Sequence, residues 1–199
     1  MASHVNIKEI LGNGSSLHAR FIPDYNKLKA AVETLKKTGY RIVLTQGVYD
    51  LIHEGHAGYL EAAKKHGDVL IVGVDSDALT RKRKGPGRPI VPQTERLKML
   101  VHLRHVDIVT LRDVKRDIGH LIRLVRPDVL VASKSTSDFR KDQVYEYKNY
   151  CGTIAILPPQ ATTSTSARIR TLTIDGAEKL AGEIGRLTQA FIKTIRGKK

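Results

Sequence analysis

The chain has one cysteine, Cys151, and no tryptophan. A lone thiol excludes an internal disulfide framework and a cysteine-rich zinc site, and it fits a reducing compartment. Aromatic residues are sparse, with seven Tyr and three Phe in 199 residues, and they form no pattern of the kind on which successive bases stack. No apolar run approaches the roughly 20 residues of a membrane span, and the N-terminus carries no continuous apolar signal core. These absences lead us to expect a cytoplasmic protein with no membrane association. Acidic residues are also in short supply: 20 Asp and Glu stand against 34 Lys and Arg, for a formal net charge of +14. That excess favours anionic partners, whether nucleotides, sugar phosphates or a nucleic acid backbone, and charge alone does not choose among them. Without a stacking platform, nucleic acid is not the expected partner.

With 41% hydrophobic residues, a chain of this length buries one good core, so a single domain over residues 1–199 is expected. Asp24 is placed to cap a helix in which Tyr25, Leu28, Val32 and Leu35 recur at helical spacing as far as Gly39. Strands are expected at 41–46, 69–74, 106–110, 129–132 and 153–157, each a short β-branched or apolar run. Helices are expected between them at about 57–66, 92–104, 113–125 and 143–150. The Gly- and Pro-broken basic stretch 81–89 reads as a loop, and Leu180, Ile184, Leu187, Phe191 and Ile195 mark a last amphipathic helix at about 176–195. Strands alternating with helices imply an α/β fold, a Rossmann-like doubly wound parallel sheet of about five strands with flanking helices. Ligands collect at the carboxyl ends of such strands, where the strand order reverses.

At one such end lies Gly47-Val-Tyr-Asp-Leu-Ile-His-Glu-Gly-His56. Gly47 and Gly55 allow close backbone approach, and the helix start offers unpaired N–H groups and a positive dipole end to an anion. His53 and His56 are spaced so that both rings face one point and donate to phosphate oxygens. A single histidine there is ordinarily a helix cap; two framed by glycines point to an anion site. The zinc protease pattern His-Glu-x-x-His is absent, because Glu54 is followed at once by Gly55 and His56.

This segment resembles the G-x-F-D-x-x-H-x-G-H signature of the cytidylyltransferase-like nucleotidyltransferases. Class I aminoacyl-tRNA synthetases share a His-x-Gly-His, but they are far longer chains. Further pieces follow in family order: Tyr59 to Asp68, Val74-Asp-Ser-Asp77, Lys84-Gly-Pro-Gly-Arg-Pro89, Glu95-Arg96, Val106-Asp107 and Pro127-Asp-Val-Leu-Val131. The resemblance covers about Gly39 to Ile169. Lys84-Gly with Arg88-Pro89, and the preceding helix, are most similar to the branch that adenylylates D-glycero-D-manno-heptose 1-phosphate.

The resemblance implies a nucleotidyl transfer from ATP, or from CTP, to a small phosphorylated acceptor, with Mg²⁺ carried on the phosphates and no side-chain metal ligands. His53, His56 and Lys84 would stabilise the charge developing on the α-phosphate. Gly47, Val48, Tyr49, Asp50 and Gly55 would form the nucleotide turn, Arg88 would close over the phosphates, and Arg96 would either reach the triphosphate or pair with a carboxylate. Ser164, Thr165 and Ser166 would meet the β- and γ-phosphates at a helix start, with Arg168 or Arg170 as an added cation. Asp50, Lys134 and Asp138 would face the acceptor. Relatives commonly form homodimers, and the last helix is available for such a contact. Four departures stand out: Gln46 for Asn, Tyr49 for Phe, Arg168 for Ile, and Ser133-Lys-Ser-Thr-Ser-Asp-Phe139 for a Lys-Gly-Gly-Asp-Tyr-like segment. The alternatives are a CTP-dependent enzyme acting on glycerol 3-phosphate, phosphoethanolamine or a similar phosphorylated alcohol, and a non-catalytic nucleotide or RNA binder whose binding depends steeply on salt.

Overall fold

The structure, a computed structural model, describes residues 7–12, 16–134, 146–161 and 165–196, with side chains as far as 193 in the last segment. Helices α1 (Ile7–Leu11), α2 (Leu17–Arg20) and α3 (Tyr25–Lys37) precede the first strand. There follow β1 (Ile42–Gly47), α4 (Glu54–Lys64), β2 (Val69–Asp75), α5 (Asp77–Lys84), α6 (Gln93–Val101) and β3 (Ile108–Arg112). Then come α7 (His120–Val125), β4 (Val129–Ser133), β5 (Thr153–Leu157) and the long α8 (Thr165–Arg196).

The five strands form one sheet in the order β3-β2-β1-β4-β5, and every pairing is parallel. β1 is central: Ile42 pairs with Val69 of β2, and Val43 with Val129 of β4. Successive strands run outward from β1 on one side and outward again from β4 on the other, so the order reverses between β1 and β4. In open parallel sheets ligands collect at such a reversal, here the carboxyl end of β1. Alternation along β1 sends Ile42 and Leu44 into the core beneath α3 and α7, with Leu28, Leu35, Leu121 and Ile122. Val43 points to the opposite core, with Leu60 of α4 and Leu97 and Leu100 of α6. Burial on both faces accounts for the unbroken apolar run of β2.

Several boundaries differ from those expected. The basic run read as a loop is helical up to Lys84. The Ser76 hydroxyl accepts from the Leu79 N–H, Asp77 occupies the first turn and Arg81, Lys82, Arg83 and Lys84 the last, so each helix end carries the charge that suits it. Gly85, at φ 95°, ends the helix. α4 starts at Glu54, earlier than expected, because His53 caps it. β3 lies two residues further along than expected because Arg112 pairs with Asp75 at the end of β2. Only 120–125 of the expected 113–125 helix forms, and Asp117 instead accepts from the Gly119 N–H in the turn before it. Of the helix expected at 143–150, residues 146–148 are helical and 143–145 lie outside the described residues.

The chain divides into two compact units, Met1–Thr162 and Thr163–Lys199. The second contains α8, which begins at Thr165 and not near 176. Gly176, Gly182 and Gly185 lie inside it without ending it. No helix among the described residues is long and apolar enough to cross a membrane.

Candidate active site

The histidine turn is held open by an uncommon backbone. Tyr49 and Leu51 adopt positive φ values of 55° and 45°, which reverse the chain within the span from β1 to α4. Gly47 leaves room beneath this turn, since a Cβ there would stand a tight 3.1 Å from the Tyr49 ring. His53 is the N-cap of α4, and its Nδ1 accepts from the Gly55 N–H at 3.1 Å. With Nδ1 accepting, the ring proton of the neutral imidazole is on Nε2. The His56 N–H donates to the His53 carbonyl at 2.9 Å, and the two rings lie 4.1 Å apart, tilted by 37°. Tyr49 closes the other side of His56 at 5.6 Å. Both imidazoles therefore sit at the head of an 11-residue helix, over its positive end.

Burial lowers the His56 pKa from 6.5 to about 4, with further lowering from His53 and Lys84 against an opposing pull from Asp50. Its Nδ1 is buried without a hydrogen-bond partner. A polar atom left so is uncommon in a folded protein, and an arriving anion would satisfy it. Lys84, at the end of α5, is also lowered, by desolvation and then by Arg88 and Arg83. The site thus concentrates cations that repel one another until negative charge arrives.

Asp50 and Arg96 form the frame behind this cluster. The Asp50 carboxylate is 2% exposed; it accepts from the Ile90 and Val91 N–H groups at 3.0 and 2.9 Å and lies 3.0 Å from Arg88 Nε. It pins the segment after Lys84 across the histidine turn, and that is its role in the described contacts, ahead of any meeting with an acceptor. Arg96 is 1% exposed. It donates to the carbonyls of Val91, Val48 and Asp75 and to the Asp77 carboxylate. Of the two roles open to it, pairing with a carboxylate is the one the structure shows. The guanidinium is buried inside the frame, with Nε, Nη1 and Nη2 each donating there.

The remaining expected residues fall in three groups. Arg88 faces the site through its pair with Asp50, and Val48 contributes its carbonyl to Arg96. Lys134 is exposed just past β4, the neighbour of β1, with its N–H donating to the Leu157 carbonyl at 2.9 Å. Thr165 and Ser166 open α8 in the second unit, where Arg168 and Arg170 are exposed. Ser164 and Asp138 lie outside the described residues.

Sequence reasoning missed a buried charge group beside the site. Asp75 is fully buried and pairs with Arg83 at 2.5 Å and with Arg112 at 2.8 Å. The signal was available as an Asp at the end of an otherwise apolar strand, a place where a charge persists only with a partner. It also missed that Gln46 is buried with neither amide atom hydrogen-bonded, one strand position before Gly47. Among the described residues no group of three or more His, Cys, Asp or Glu is arranged to hold a metal ion.

Several known proteins are similar to this chain. Bifunctional protein HldE of Desulfatibacillum aliphaticivorans is 41% identical over 145 residues, 72% of this chain and 29% of that protein. The HldE of Methylobacillus flagellatus is 37% identical over 168 residues, 83% of this chain and 34% of that one. The chain therefore spans about a third of the length of these relatives. Among solved structures, a lipopolysaccharide core biosynthesis protein from Thermoplasma volcanium is 28% identical at a TM-score of 0.53, covering 63% of this chain and all of that one. A pantoate-beta-alanine ligase from Francisella tularensis, 15% identical at a TM-score of 0.54 over 72% of this chain and 68% of its own, shares the fold alone. The family profile described as cytidylyltransferase-like matches residues 44–172, which include both histidines, Lys84 and the whole sheet beyond the first two residues of β1. The chain belongs to the cytidylyltransferase-like family and is a nucleotidyltransferase.

Proposed function

We propose that this enzyme transfers AMP from ATP to a phosphate oxygen of a phosphorylated sugar of the heptose 1-phosphate kind, releasing pyrophosphate. The observation that carries this reading is the tilted His53 and His56 pair at the head of α4, with Lys84 near enough to depress the His56 pKa. An oxygen of the acceptor phosphate attacks the α-phosphorus, the bond to the bridging oxygen breaks, and pyrophosphate leaves with the electron pair. No covalent enzyme intermediate is needed. The protein's contribution is alignment and charge neutralisation: His53 donates through Nε2, His56 offers its unsatisfied nitrogen, Lys84 supplies a full charge and the positive end of the α4 dipole lies behind both rings. Mg²⁺ bound to the triphosphate would share that neutralisation. The fit is with phosphate oxygens, since the unsatisfied groups at the turn are cations and donors.

The sugar phosphate is supported by similarity to the HldE proteins and to a lipopolysaccharide core biosynthesis protein. The preference for ATP is supported by the Lys84-Gly and Arg88-Pro89 resemblance. Pyrophosphate release measured with ATP and CTP, each against a panel of sugar 1-phosphates and phosphorylated alcohols, tests both points. Highest kcat/KM is expected for ATP with a sugar 1-phosphate. Faster turnover with CTP and glycerol 3-phosphate or phosphoethanolamine would replace this reading with the cytidylyltransferase one. RNA binding without pyrophosphate release from any pair would replace it with a non-catalytic binder.

A further inference from the structure

Helices α3 and α7 lie side by side on the sheet face away from α4, and between them opens a cavity of about 640 Å³. That volume falls within the roughly 300–1,000 Å³ usual for small-molecule sites. At about 3.3 Å per residue, the six residues of β1 set roughly 20 Å between the Arg126 end of this cavity and the histidine turn. Its floor is apolar, with Val32 and Val125 both buried. Its rim is cationic: Lys29 and Lys36 stand two turns apart on α3, and Arg123 and Arg126 one turn apart at the end of α7. His120 closes one end, stacked on Tyr25 at 5.6 Å. Glu33 is the one acid among the described residues that line the cavity, 4.0 Å from Lys29 in a pair more than half exposed on both sides, and such a pair contributes little. Arg123 is held from outside by Asp117 at 2.5 Å and Glu146 at 3.8 Å, so Lys29, Lys36 and Arg126 carry the surplus charge.

Arg126 stands in a costly place. Its backbone is left-handed, φ 46° and ψ 60°, at the C-cap of α7, a conformation that glycine takes freely and a residue with a Cβ takes only at a cost. Its carbonyl accepts from the Lys36 ammonium, which ties the ends of the two helices together. Its guanidinium lies 6.0 Å from the centre of the Tyr150 ring, which also lines the cavity. Helix dipoles explain a cation at Lys36, in the last turn of α3. They do not explain Lys29, in the second turn, nor an Arg where glycine would end α7 more easily. Ammonium and guanidinium groups from two helices surround one space and offer only donors. A phosphate ester answers them with about two negative charges and three acceptor oxygens, more than a carboxylate brings. With one tyrosine among the described residues that line it, the cavity suits a small molecule and not a strand whose successive bases need stacking partners.

We propose that the cavity between α3 and α7 is a second anion site, separate from the histidine turn, which binds a small organic phosphate of at least two negative charges through Lys29, Lys36 and Arg126. The probe is bisphosphoglycerate, titrated calorimetrically into the full chain at physiological salt. The parent should bind it, and Arg126→Gly and Lys29→Met should each weaken that binding about tenfold or more. Glycine is at ease in the left-handed conformation, so Arg126→Gly should melt no lower than the parent, which separates lost binding from lost folding. Lys98→Met removes an exposed charge from α6, on the other face of the sheet, and should leave the affinity as it was. His56→Ala should also leave it, since the probe is not held at the histidine turn. Absence of binding, binding that Arg126→Gly and Lys29→Met leave intact, or equal weakening by Lys98→Met would overturn the proposal. So would loss of binding in His56→Ala, tighter binding of citrate, or displacement of the probe by oligouridylate, which would give the cavity to RNA.

Discussion

Replacing Gly55 by alanine separates the stability of α4 from the placement of His53. An added Cβ would stand 2.9 Å from His53 Cε1, 3.1 Å from its Nδ1 and 3.1 Å from the Ala161 Cβ, all closer than ordinary carbon contacts allow. Helix backbone is comfortable for alanine, which gains about 1 kcal/mol over glycine in a helix interior. The imidazole is the movable partner. As it swings away it releases the Gly55 N–H it now accepts from, a cap worth about 1 kcal/mol. The two terms offset, so the melting temperature should move by only a few degrees in either direction. Turnover should not be spared, because His53 Nε2 is displaced from the phosphate position; a tenfold or greater loss, about 1.4 kcal/mol or more of transition-state stabilisation, is expected. Gly58→Ala is the matched control: its Cβ would meet Gln160 at 3.4 Å, an ordinary contact, so that variant should be as active as the parent and slightly more stable. Pyrophosphate release and thermal melting of the pair decide the matter. Full activity in Gly55→Ala would refute the claim that His53 is positioned for transfer.

Loss of a donor aimed at developing charge typically costs about a hundredfold, so His56→Ala should lower kcat by that order with little change in melting, and unaltered turnover would remove it from the mechanism. With its folded pKa near 4 below the ordinary 6.5, the contribution of a neutral His56 to stability is present above about pH 6.5 and is lost as pH falls through 4. Ring NMR should show His56 uncharged at pH 6 in the free enzyme, with its midpoint rising when a nucleoside triphosphate binds. A free-enzyme midpoint near 6.5 would contradict the burial described. Arg96→Met should destabilise the fold by about 3–5 kcal/mol, since three backbone carbonyls and a carboxylate lose their partner, and denaturant unfolding showing less than about 1 kcal/mol would contradict the framing role.

The histidine turn was legible because its chemistry is local: two rings, two glycines and a helix start within ten residues. The strands β1, β2, β4 and β5 were legible because apolar runs between breakers have few other places to go. What escaped depends on partners distant in sequence. The end of β3 is fixed by Arg112 reaching Asp75 across the sheet, and nothing in residues 106–110 announces it. Arg81 to Lys84 read as a loop because of the Gly and Pro after them, yet four cations at a helix end favour that helix. Arg96 carried two readings until its burial was seen. A helix start near Ser164 to Ser166 was expected, but Gly176, which ordinarily punctuates a helix, hid that it runs on unbroken into the last amphipathic stretch.

Three of the four groups that Arg96 grips are carbonyl oxygens of the main chain, at Val48, Val91 and Asp75. A carbonyl is present whatever side chain a position carries. The bracing of the histidine turn against the segment after Lys84 therefore does not depend on which side chains stand at residues 48 and 91. Substitutions there that fit the space leave all three backbone acceptors in place, so the histidine turn and the segment after Lys84 should stay in register through changes of side chain at 48 and 91.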